Sequence, residues 1–525
     1  MYMYDKKNNK SDIFMALSVL MLLFSYYILR ATSLDNILQS LDHGYQLAIG
    51  GALLGGRVPG VDLFTLYGPL IGYVSALGLA VMPGLSGEII ICALGHAAYS
   101  TFAVTLLRRV GVVWWLALVA PVLLLVFNTR FYKWYYSFWP LLVLLQASIY
   151  VLRYDRVGNT QFRRMAFLGV ISAVAFLFRF DLGLLAGAIS TTAFFICRPA
   201  RQALFVYLAS ALFIMILFYA YLCFASGNVL IFMDFFQWIS LASGVVTQLS
   251  LPFPTFNAVD SMDHRAFVLF YYGVPLVYLV AIILAVWALK SHHDMNSIRA
   301  RTLLLCATAG LFMFPQAMHR ADLAHLIQVL PIFFVVLIVL VDSARKSSGA
   351  RTASLGAALV AILVLLPGLK VAMVKGTDLR PLAWDQYEYW RNLTAVPDVP
   401  SMGVESADLA QKLRTETPKD ATVFYIMPTT LNTAIALSQR RVAGIFPTYF
   451  EQFREPPSWI ERNVKALWDH PPDVLVVRRY YWKNPSMDTV VPPYDPELRR
   501  EWERRFTKVL FQTTYYDVLV DPNRY

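Results

Sequence analysis

The sequence predicts a polytopic α-helical membrane protein of about 11–13 transmembrane helices that ends in a small soluble α/β domain. Of its 525 residues, 58% are hydrophobic and only 15% are charged, whereas a soluble protein carries about a quarter charged residues. Long apolar runs recur through the first 375 residues, and more polar, proline-containing sequence follows. We therefore expect a transmembrane domain at residues 1–375 and an α/β domain at residues 376–525.

The predicted membrane helices correspond to apolar runs close to the length of about 20 residues that a helix needs to span a bilayer. The first run lacks a small-residue cleavage site, so we expect it to be a retained helix and not a signal peptide. A weaker run covers Tyr67–Met82. The main runs are Ile13–Leu29, Glu88–Leu107, Gly111–Phe127, Phe138–Leu152, Met165–Phe178, Leu182–Cys197, Leu204–Phe224, Ala266–Leu289, Leu303–Phe314, Leu326–Val341 and Ser354–Val374.

The positive charge of the chain indicates its topology. The net charge is +11, yet residues 376–525 contain 19 lysines and arginines against 20 acidic residues, so the excess lies in the membrane part. Basic clusters on short loops mark the cytoplasmic side, and no nucleic-acid partner is expected. The alternation of helices then places the turns Arg179–Asp181 and His319–His325, together with the C-terminal domain, on the non-cytoplasmic side. The basic clusters are Lys6–Lys10, Arg153–Arg164, Arg198 with Arg201, Lys290–Arg301 and Arg345–Arg351.

In the N-terminal half, the number of predicted membrane crossings does not agree with this topology. Four apolar runs lie between the loop around Asp42 and the basic segment Arg153–Arg164, where an odd number of crossings is required. We therefore expect one run within Tyr67–Leu107 to be re-entrant, to lie flat or to form two short helices.

The tail alternates between helical and strand-like patterns, which is typical of a small α/β domain. Helical patterns cover Ser406–Thr415 and Trp459–Trp468. Strand-length apolar segments are Ala421–Ile426, Val474–Val477, Lys508–Gln512 and Tyr516–Val520, and the segment Glu497–Phe506 leads into the last two.

The predicted external loop, residues 32–66, is the candidate active-site loop. A loop of this length without regular structure is usually functional or disordered, and this one is too apolar for disorder. Asp42 or Asp62 is a candidate general base that takes a proton from an incoming hydroxyl. Structural interpretations stay open for both: Asp42 as the cap of a helix Gly44–Leu54, and Asp62 as a turn residue. His43, beside Asp42, and Tyr67 are supporting candidates.

Two turns between apolar runs are dense in ionisable residues, which are costly to place near a bilayer. In FRFDLG, Arg179 either pairs with Asp181 alone or binds a phosphate, whose oxygens match its planar guanidinium. For HRADLAH we favour an anion or phosphate site over a plain turn. A metal site is less favoured, because the histidines have no further ligand at helical spacing. The candidates in this turn are His319, Arg320, Asp322 and His325.

Aromatic residues concentrate in Asn128–Trp139, together with Arg130 and Lys133, and Trp238 stands in a later loop. An aromatic belt at the membrane interface is the favoured interpretation. Stacking against a sugar face is the alternative.

The stretch LDHGYQLAIGGALLGGRVPGVDLFTLYGPL resembles the first external loop of GT-C class membrane glycosyltransferases, which include protein mannosyltransferases and aminoarabinose transferases. In that class an early aspartate precedes a glycine-proline-aspartate-phenylalanine element and a YGPL-like helix start. Many members carry an adjacent Asp-Glu or Glu-x-Asp pair, whereas Asp42 is followed by His43. This departure leaves open which aspartate is the base and whether a divalent cation is held. The matching residues are Asp42, Gly56, Pro59, Asp62, Phe64 and Tyr67–Leu70.

The resemblance implies an inverting glycosyltransferase that moves a sugar from a polyprenyl-phosphate carrier to a glycan, lipid or protein acceptor of the cell envelope. It further implies a bacterial inner membrane with the active site on the periplasmic face. Asp42 or Asp62 would be the base. Donor phosphate would be bound by Arg179, His319, Arg320 and His325, supported by Asp181 and Asp322.

Two other functions stay open. A transporter or flippase of lipid-linked sugars would bind the same phosphate. Such a function predicts polar residues along several helices, and the sequence has few. A non-catalytic envelope-assembly protein would have a similar sequence.

Overall fold

The computed structural model of the chain describes residues 6–31, 41–82, 86–127, 133–152, 159–197, 201–247, 253–256, 261–290, 297–319, 321–346, 351–374, 402–426, 432–446, 457–478 and 495–525. Its helices before the tail are α1 (Lys6–Ala31), α2 (Leu41–Leu54), α3 (Pro69–Val81), α4 (Ser86–Arg109), α5 (Trp114–Ala117), α6 (Val119–Val126), α7 (Tyr135–Leu152), α8 (Asn159–Phe178), α9 (Phe180–Cys197), α10 (Arg201–Ser226), α11 (Ile231–Thr247), α12 (Met262–Lys290), α13 (Ser297–Met313), α14 (Pro315–His319), α15 (Leu323–Lys346) and α16 (Arg351–Val374).

The described part of the chain contains ten helices that are long and apolar enough to cross a membrane, and three shorter apolar helices. The protein is therefore an integral membrane protein, and the predicted polytopic helical fold is confirmed. The shorter apolar helices are Gly44–Leu54, Pro69–Val81 and Trp114–Val126.

Two of the predicted runs form short helices. The run Tyr67–Met82 becomes α3, only 13 residues long, inside the region where the topology predicted an irregular element. The run Gly111–Phe127, predicted as a single span, is instead divided between α5 and α6. Pro121 lies in the first turn of α6 and has no N–H to donate to the carbonyl four residues earlier, so an uninterrupted helix through this point is disfavoured.

The turn between α8 and α9 consists of a single residue, Arg179. Its N–H donates to Ala175 O at 2.8 Å, and its carbonyl accepts the N–H of Gly183 at 3.1 Å. A Cβ on Gly183 would lie 2.3 Å from Cβ of Phe176. The two helices can approach this closely only because residue 183 has no side chain.

The tail forms the predicted α/β structure. Its elements are α17 (Met402–Glu416), β1 (Thr422–Ile426), α18 (Asn432–Ser438), β2 (Arg441–Val442), α19 (Pro457–Asp469), β3 (Val474–Arg478), α20 (Pro496–Arg505), β4 (Lys508–Gln512) and β5 (Tyr516–Val520). One five-stranded sheet has the order β2-β1-β3-β5-β4. β1 pairs in parallel with β2 and β3, and the remaining pairs are antiparallel. The parallel pairs need crossover connections, which α18 and α19 provide.

The chain divides into two compact units. The first consists of Met1–Ile28, Cys92–Leu217 and Ser250–Pro381, and the second of Leu29–Ile91, Phe218–Leu249 and Leu382–Tyr525. The second unit thus combines the sheet with the first loop, α2, α3 and α11. The predicted domain boundary at residue 375 stays a prediction.

A buried carboxylate organises one end of the first unit. The side chain of Asp342, near the end of α15, is 1% exposed and forms ion pairs with Arg299 at 2.9 Å and Lys346 at 3.1 Å. Arg299 and Lys346 also donate to the carbonyl of Gly111, at 2.8 and 2.7 Å. This network joins the end of α15, the start of α13 and the turn after α4.

The substitution Asp342→Asn is expected to lower the free energy of unfolding by about 1.5–3 kcal/mol, because the hydrogen bonds from Arg299 and Lys346 to a charged, 1% exposed carboxylate are weakened. Thermal unfolding in detergent measures the loss. Asp263→Asn is the matched control, since Asp263 pairs with Lys370 at 3.4 Å while both side chains are 45% exposed. An exposed pair of this kind contributes about 0–1 kcal/mol. Equal shifts for both variants would contradict the role of Asp342.

Candidate functional site

The predicted site residues fall into both compact units. Asp42, His43, Asp62 and Tyr67 belong to the second unit, and the candidates from residue 179 onward belong to the first. Each group is described in its own unit.

Asp42 and His43 lie in the first turn of α2, which begins at Leu41. The predicted helix Gly44–Leu54 therefore starts earlier than expected, and Asp42 lies inside the helix instead of capping it. The side chains of both residues lie outside the described part of the structure, so the role of Asp42 as a base stays a prediction.

Asp62 closes a tight turn in the first loop. Its Oδ1 accepts the N–H of Val58 at 2.5 Å, and its own N–H donates to Val58 O at 3.1 Å. Its carbonyl accepts a hydrogen bond from Arg57 at 3.2 Å. Asp62 thus has the turn role that the sequence analysis left open beside the catalytic one.

The first loop packs against the α/β tail within the second unit. The N–H of Phe64 donates to Ile445 O at 3.2 Å, and its ring contacts the rings of Phe446 and Trp459 with centroids 5.4 and 5.2 Å apart. Arg57 donates to Val442 O at 3.0 Å, and Arg462 donates to Val61 O at 2.8 Å. The first loop, which carries the family resemblance, is therefore also hydrogen-bonded to the α/β tail.

Trp238 on α11 forms a hydrogen bond with the same loop. It is fully buried, and its indole N–H donates to Thr65 O at 2.9 Å. The Tyr45 hydroxyl accepts the N–H of Leu66 at 2.8 Å, and the rings of Tyr45 and Tyr67 meet edge to face with centroids 6.0 Å apart. The prediction of an aromatic belt is wrong for Trp238, because its ring fills a space inside the protein.

A pair of phenols lies near this loop. The hydroxyls of Tyr73 on α3 and Tyr221 on α10 are 2.5 Å apart. The carboxylate of Asp62 interacts electrostatically with Tyr73.

In the first unit, two cations approach one aromatic ring. The guanidinium of Arg179 lies 4.5 Å from the ring centroid of Tyr136, and Nζ of Lys133 lies 5.9 Å from it. Lys133 and Tyr136 are buried. The belt prediction is therefore also wrong for the described end of Asn128–Trp139, where Trp134, Tyr135 and Tyr136 pack inside the helices. Residues 128–132, which include Arg130, lie outside the described part.

The carboxylate of Asp181 holds Arg179 in place. Arg179 Nε donates to both carboxylate oxygens of Asp181, at 2.7 and 2.9 Å. The side-chain amide of Gln316 on α14 donates to the same carboxylate, and so does the N–H of Leu182 at 3.0 Å. Because α14 leads into HRADLAH, the two polar turns share one neighbourhood. Sequence analysis missed Gln316, since nothing in its local pattern marks a contact 135 residues away.

Within HRADLAH, the described residues form a helix cap. Asp322 Oδ1 accepts the backbone N–H of His325 at 2.9 Å, and His325 Nδ1 lies 2.8 Å from the same oxygen. Asp322 thus satisfies the start of α15 as an N-cap. Arg320 and the side chain of His319 lie outside the described residues, so their predicted phosphate contacts stay predictions.

The structure also buries ionisable residues that sequence analysis did not single out. His96 on α4 is fully buried, with its Nδ1 2.8 Å from the Tyr99 hydroxyl and its ring against Tyr27. Glu88 on the same helix is buried and accepts a hydrogen bond from Ser75 at 3.3 Å. Because each lies inside an apolar run, only its contacts indicate a polar environment.

The described residues contain no group of three or more histidine, cysteine, aspartate or glutamate side chains placed to hold a metal ion. Asp42 and His43, for which the sequence left a divalent cation open, are not among those side chains.

The substitution Gly60→Ala is expected to loosen the first loop. Gly60 has φ +80°, and a Cβ there would lie 3.0 Å from the ring of Trp238. Gly56→Ala is the matched control, because Gly56 has φ +87° and open space around a Cβ. Both changes carry the strain of positive φ, so the overpacking in Gly60→Ala should lower the free energy of unfolding by about 1–3 kcal/mol more.

Thermal unfolding and limited proteolysis of the loop measure this difference. Indistinguishable behaviour of the two variants would show that the contact with Trp238 does not hold the loop.

No family model and no curated protein matches the chain. Among solved structures it is similar to the crystal structure of ArnT from Cupriavidus metallidurans in the apo state, with 12% sequence identity and a TM-score of 0.44. The likeness covers 91% of this chain and 92% of that chain.

Proposed function

We propose that the protein is an inverting glycosyltransferase. It moves a sugar from a polyprenyl-phosphate carrier to a glycan, lipid or protein acceptor on the non-cytoplasmic face of a bacterial inner membrane. The single observation that carries the proposal is the cluster of Arg179 and Lys133 at the ring of Tyr136, at the turn between two membrane-length helices. The resemblance of the first loop to the GT-C class supplies the reaction type.

The cluster has the chemistry that a lipid phosphate requires. A guanidinium offers paired donors to phosphate oxygens. Arg179 is oriented by Asp181, which Gln316 holds in turn, so the guanidinium loses little side-chain entropy on binding an anion. Ionisable groups placed near a bilayer are functional as a default interpretation.

The reaction requires one base and a stabilised leaving group. The base removes the acceptor hydroxyl proton while the oxygen attacks the anomeric carbon, and the carbon–oxygen bond to phosphate breaks with its electron pair on phosphate. The phosphate leaves as an anion without protonation, so cations at the site lower the barrier by stabilising developing charge. Asp42 is the proposed base, and Asp62 is the second candidate.

The charge distribution of the first unit supports the proposed sidedness. Arg299 at the start of α13, and Arg345 and Lys346 at the end of α15, form ion pairs with Asp342. The opposite ends of these two helices adjoin α14, whose Gln316 donates to Asp181 beside Arg179. Basic ends face the cytoplasm in most membrane proteins. The Arg179 turn lies at the end opposite to this basic cluster, so in this proposal it faces the non-cytoplasmic side.

Loss of the base is expected to abolish turnover but not binding. Wild type, Asp42→Asn and Asp62→Asn are purified and reconstituted with lipid extract that contains radiolabelled polyprenyl-phosphate sugars and with envelope acceptors. With Asp42 as the base, its variant should lose transfer about 10²–10⁴-fold and retain donor binding. Asp62→Asn is the control, because its amide oxygen still accepts the N–H of Val58 and preserves the turn.

The reverse pattern would assign the base to Asp62. Donor binding without any turnover in the wild type would contradict the enzyme and favour a transporter or a non-catalytic assembly protein.

The phosphate contact has its own test in the same preparation. Arg179→Gln is expected to weaken binding of the polyprenyl-phosphate donor at least about tenfold, since charge-assisted hydrogen bonds to a phosphate are lost. Arg163→Gln is the control, because it removes an exposed arginine from α8 near the opposite end of the helix. Unchanged donor affinity in Arg179→Gln, or equal losses in both variants, would remove the cluster from the donor site.

A further inference from the structure

A groove of about 700 Å³ opens on the outer surface of the first unit, away from the Arg179 turn. Its walls come from the second half of α9, the end of α12 and most of α13. Its lining includes Thr191, Phe195, Leu289, Arg301, Thr308 and Phe312.

The surroundings of the groove are those of a lipid-facing surface. All three helices are long and apolar enough to cross a membrane. Large apolar side chains beside the groove point outward, with Phe195 80% and Phe312 53% exposed. The hydroxyl of Thr192 is used by its own helix, donating to Ala188 O at 2.9 Å. The groove therefore presents apolar groups along most of its length, and a hydrocarbon chain fits it better than water does.

Arg301 gives one end of the groove a positive charge. It lies four residues into α13, about 6 Å along the helix from its start, and is half-buried. Arg299, on another face of the same helix, is fully engaged by Asp342 and Gly111. Arg301 forms no ion pair with any residue that the structure describes. A cation at the membrane interface without a protein anion attracts an anionic headgroup.

The length of the groove matches one leaflet. From Arg301 to Phe312 the helix advances about 16 Å, which is about half of the roughly 30 Å hydrocarbon core. We propose that this groove binds an anionic glycerophospholipid, with its phosphate on Arg301 and an acyl chain along the groove toward Phe312. This site uses other residues than the proposed donor site and does not depend on it.

Native mass spectrometry of the full-length protein with defined lipids tests the site. Delipidated wild type is titrated with phosphatidylglycerol and with phosphatidylcholine of the same acyl chains. Wild type is expected to prefer phosphatidylglycerol at least about fivefold, the effect of one interfacial cation on an anionic lipid. Arg301→Gln should remove this preference, and Arg301→Lys should keep it. Ala188→Phe, which fills the groove without changing charge, should weaken binding of both lipids.

Arg163→Gln is the matched control, since Arg163 lies four residues into α8 as Arg301 does in α13, but lines no part of the groove. It should keep the wild-type preference. Equal affinity of wild type for both lipids, a preference that survives Arg301→Gln, or equal loss in Arg163→Gln would overturn the proposal. Displacement of the lipid by millimolar glycerol phosphate alone would assign the site to a free phosphate and overturn it as well.

Discussion

The absence of water in the bilayer core is the constraint on which most of this structure depends. Every charged group in the membrane part must find a partner or lie near a helix end, because an unpaired buried charge is too costly. In the first unit, Asp342 gathers Arg299 and Lys346 at one end, and Asp181 holds Arg179 at the other. The two sets of paired charges thus lie at opposite ends of the first unit.

The first loop is held from two sides, by the α/β tail and by a helix. Phe64 and Arg57 bind backbone or rings of the α/β tail, and Trp238 holds the loop from another helix. A loop fixed in this way places the carboxylate of Asp62 with little freedom, which its proposed role as a second candidate base would require. The same contacts explain part of the resemblance to the GT-C class in structural terms. The glycine-proline-aspartate-phenylalanine element builds and docks the turn, so the match by itself does not identify Asp62 as the base.

Much of the fold was predictable because it follows from local pattern. Long apolar runs marked the membrane helices, and alternating segments marked the sheet, since hydropathy and periodicity act over neighbouring residues. Errors arose where distant contacts outweigh local pattern. Trp238 and Tyr136 matched an interfacial belt by composition but fill the interior, and the run Gly111–Phe127 is interrupted next to Pro121. For the candidate site, the sequence marked the ionisable turns around Arg179 and Asp322. It gave no sign of Gln316, the partner of Asp181, because Gln316 carries no local signature.

The sequence by itself determined that this is a polytopic membrane protein with an α/β tail, because bilayer insertion depends on the length and apolarity of each segment alone. It also marked the ionisable turns, since charge is conspicuous in apolar surroundings. Only the tertiary structure decided what each charge does. The sequence places Arg179 beside Asp181, but the bond from Gln316 to the same carboxylate depends on the packing of a segment 135 residues away.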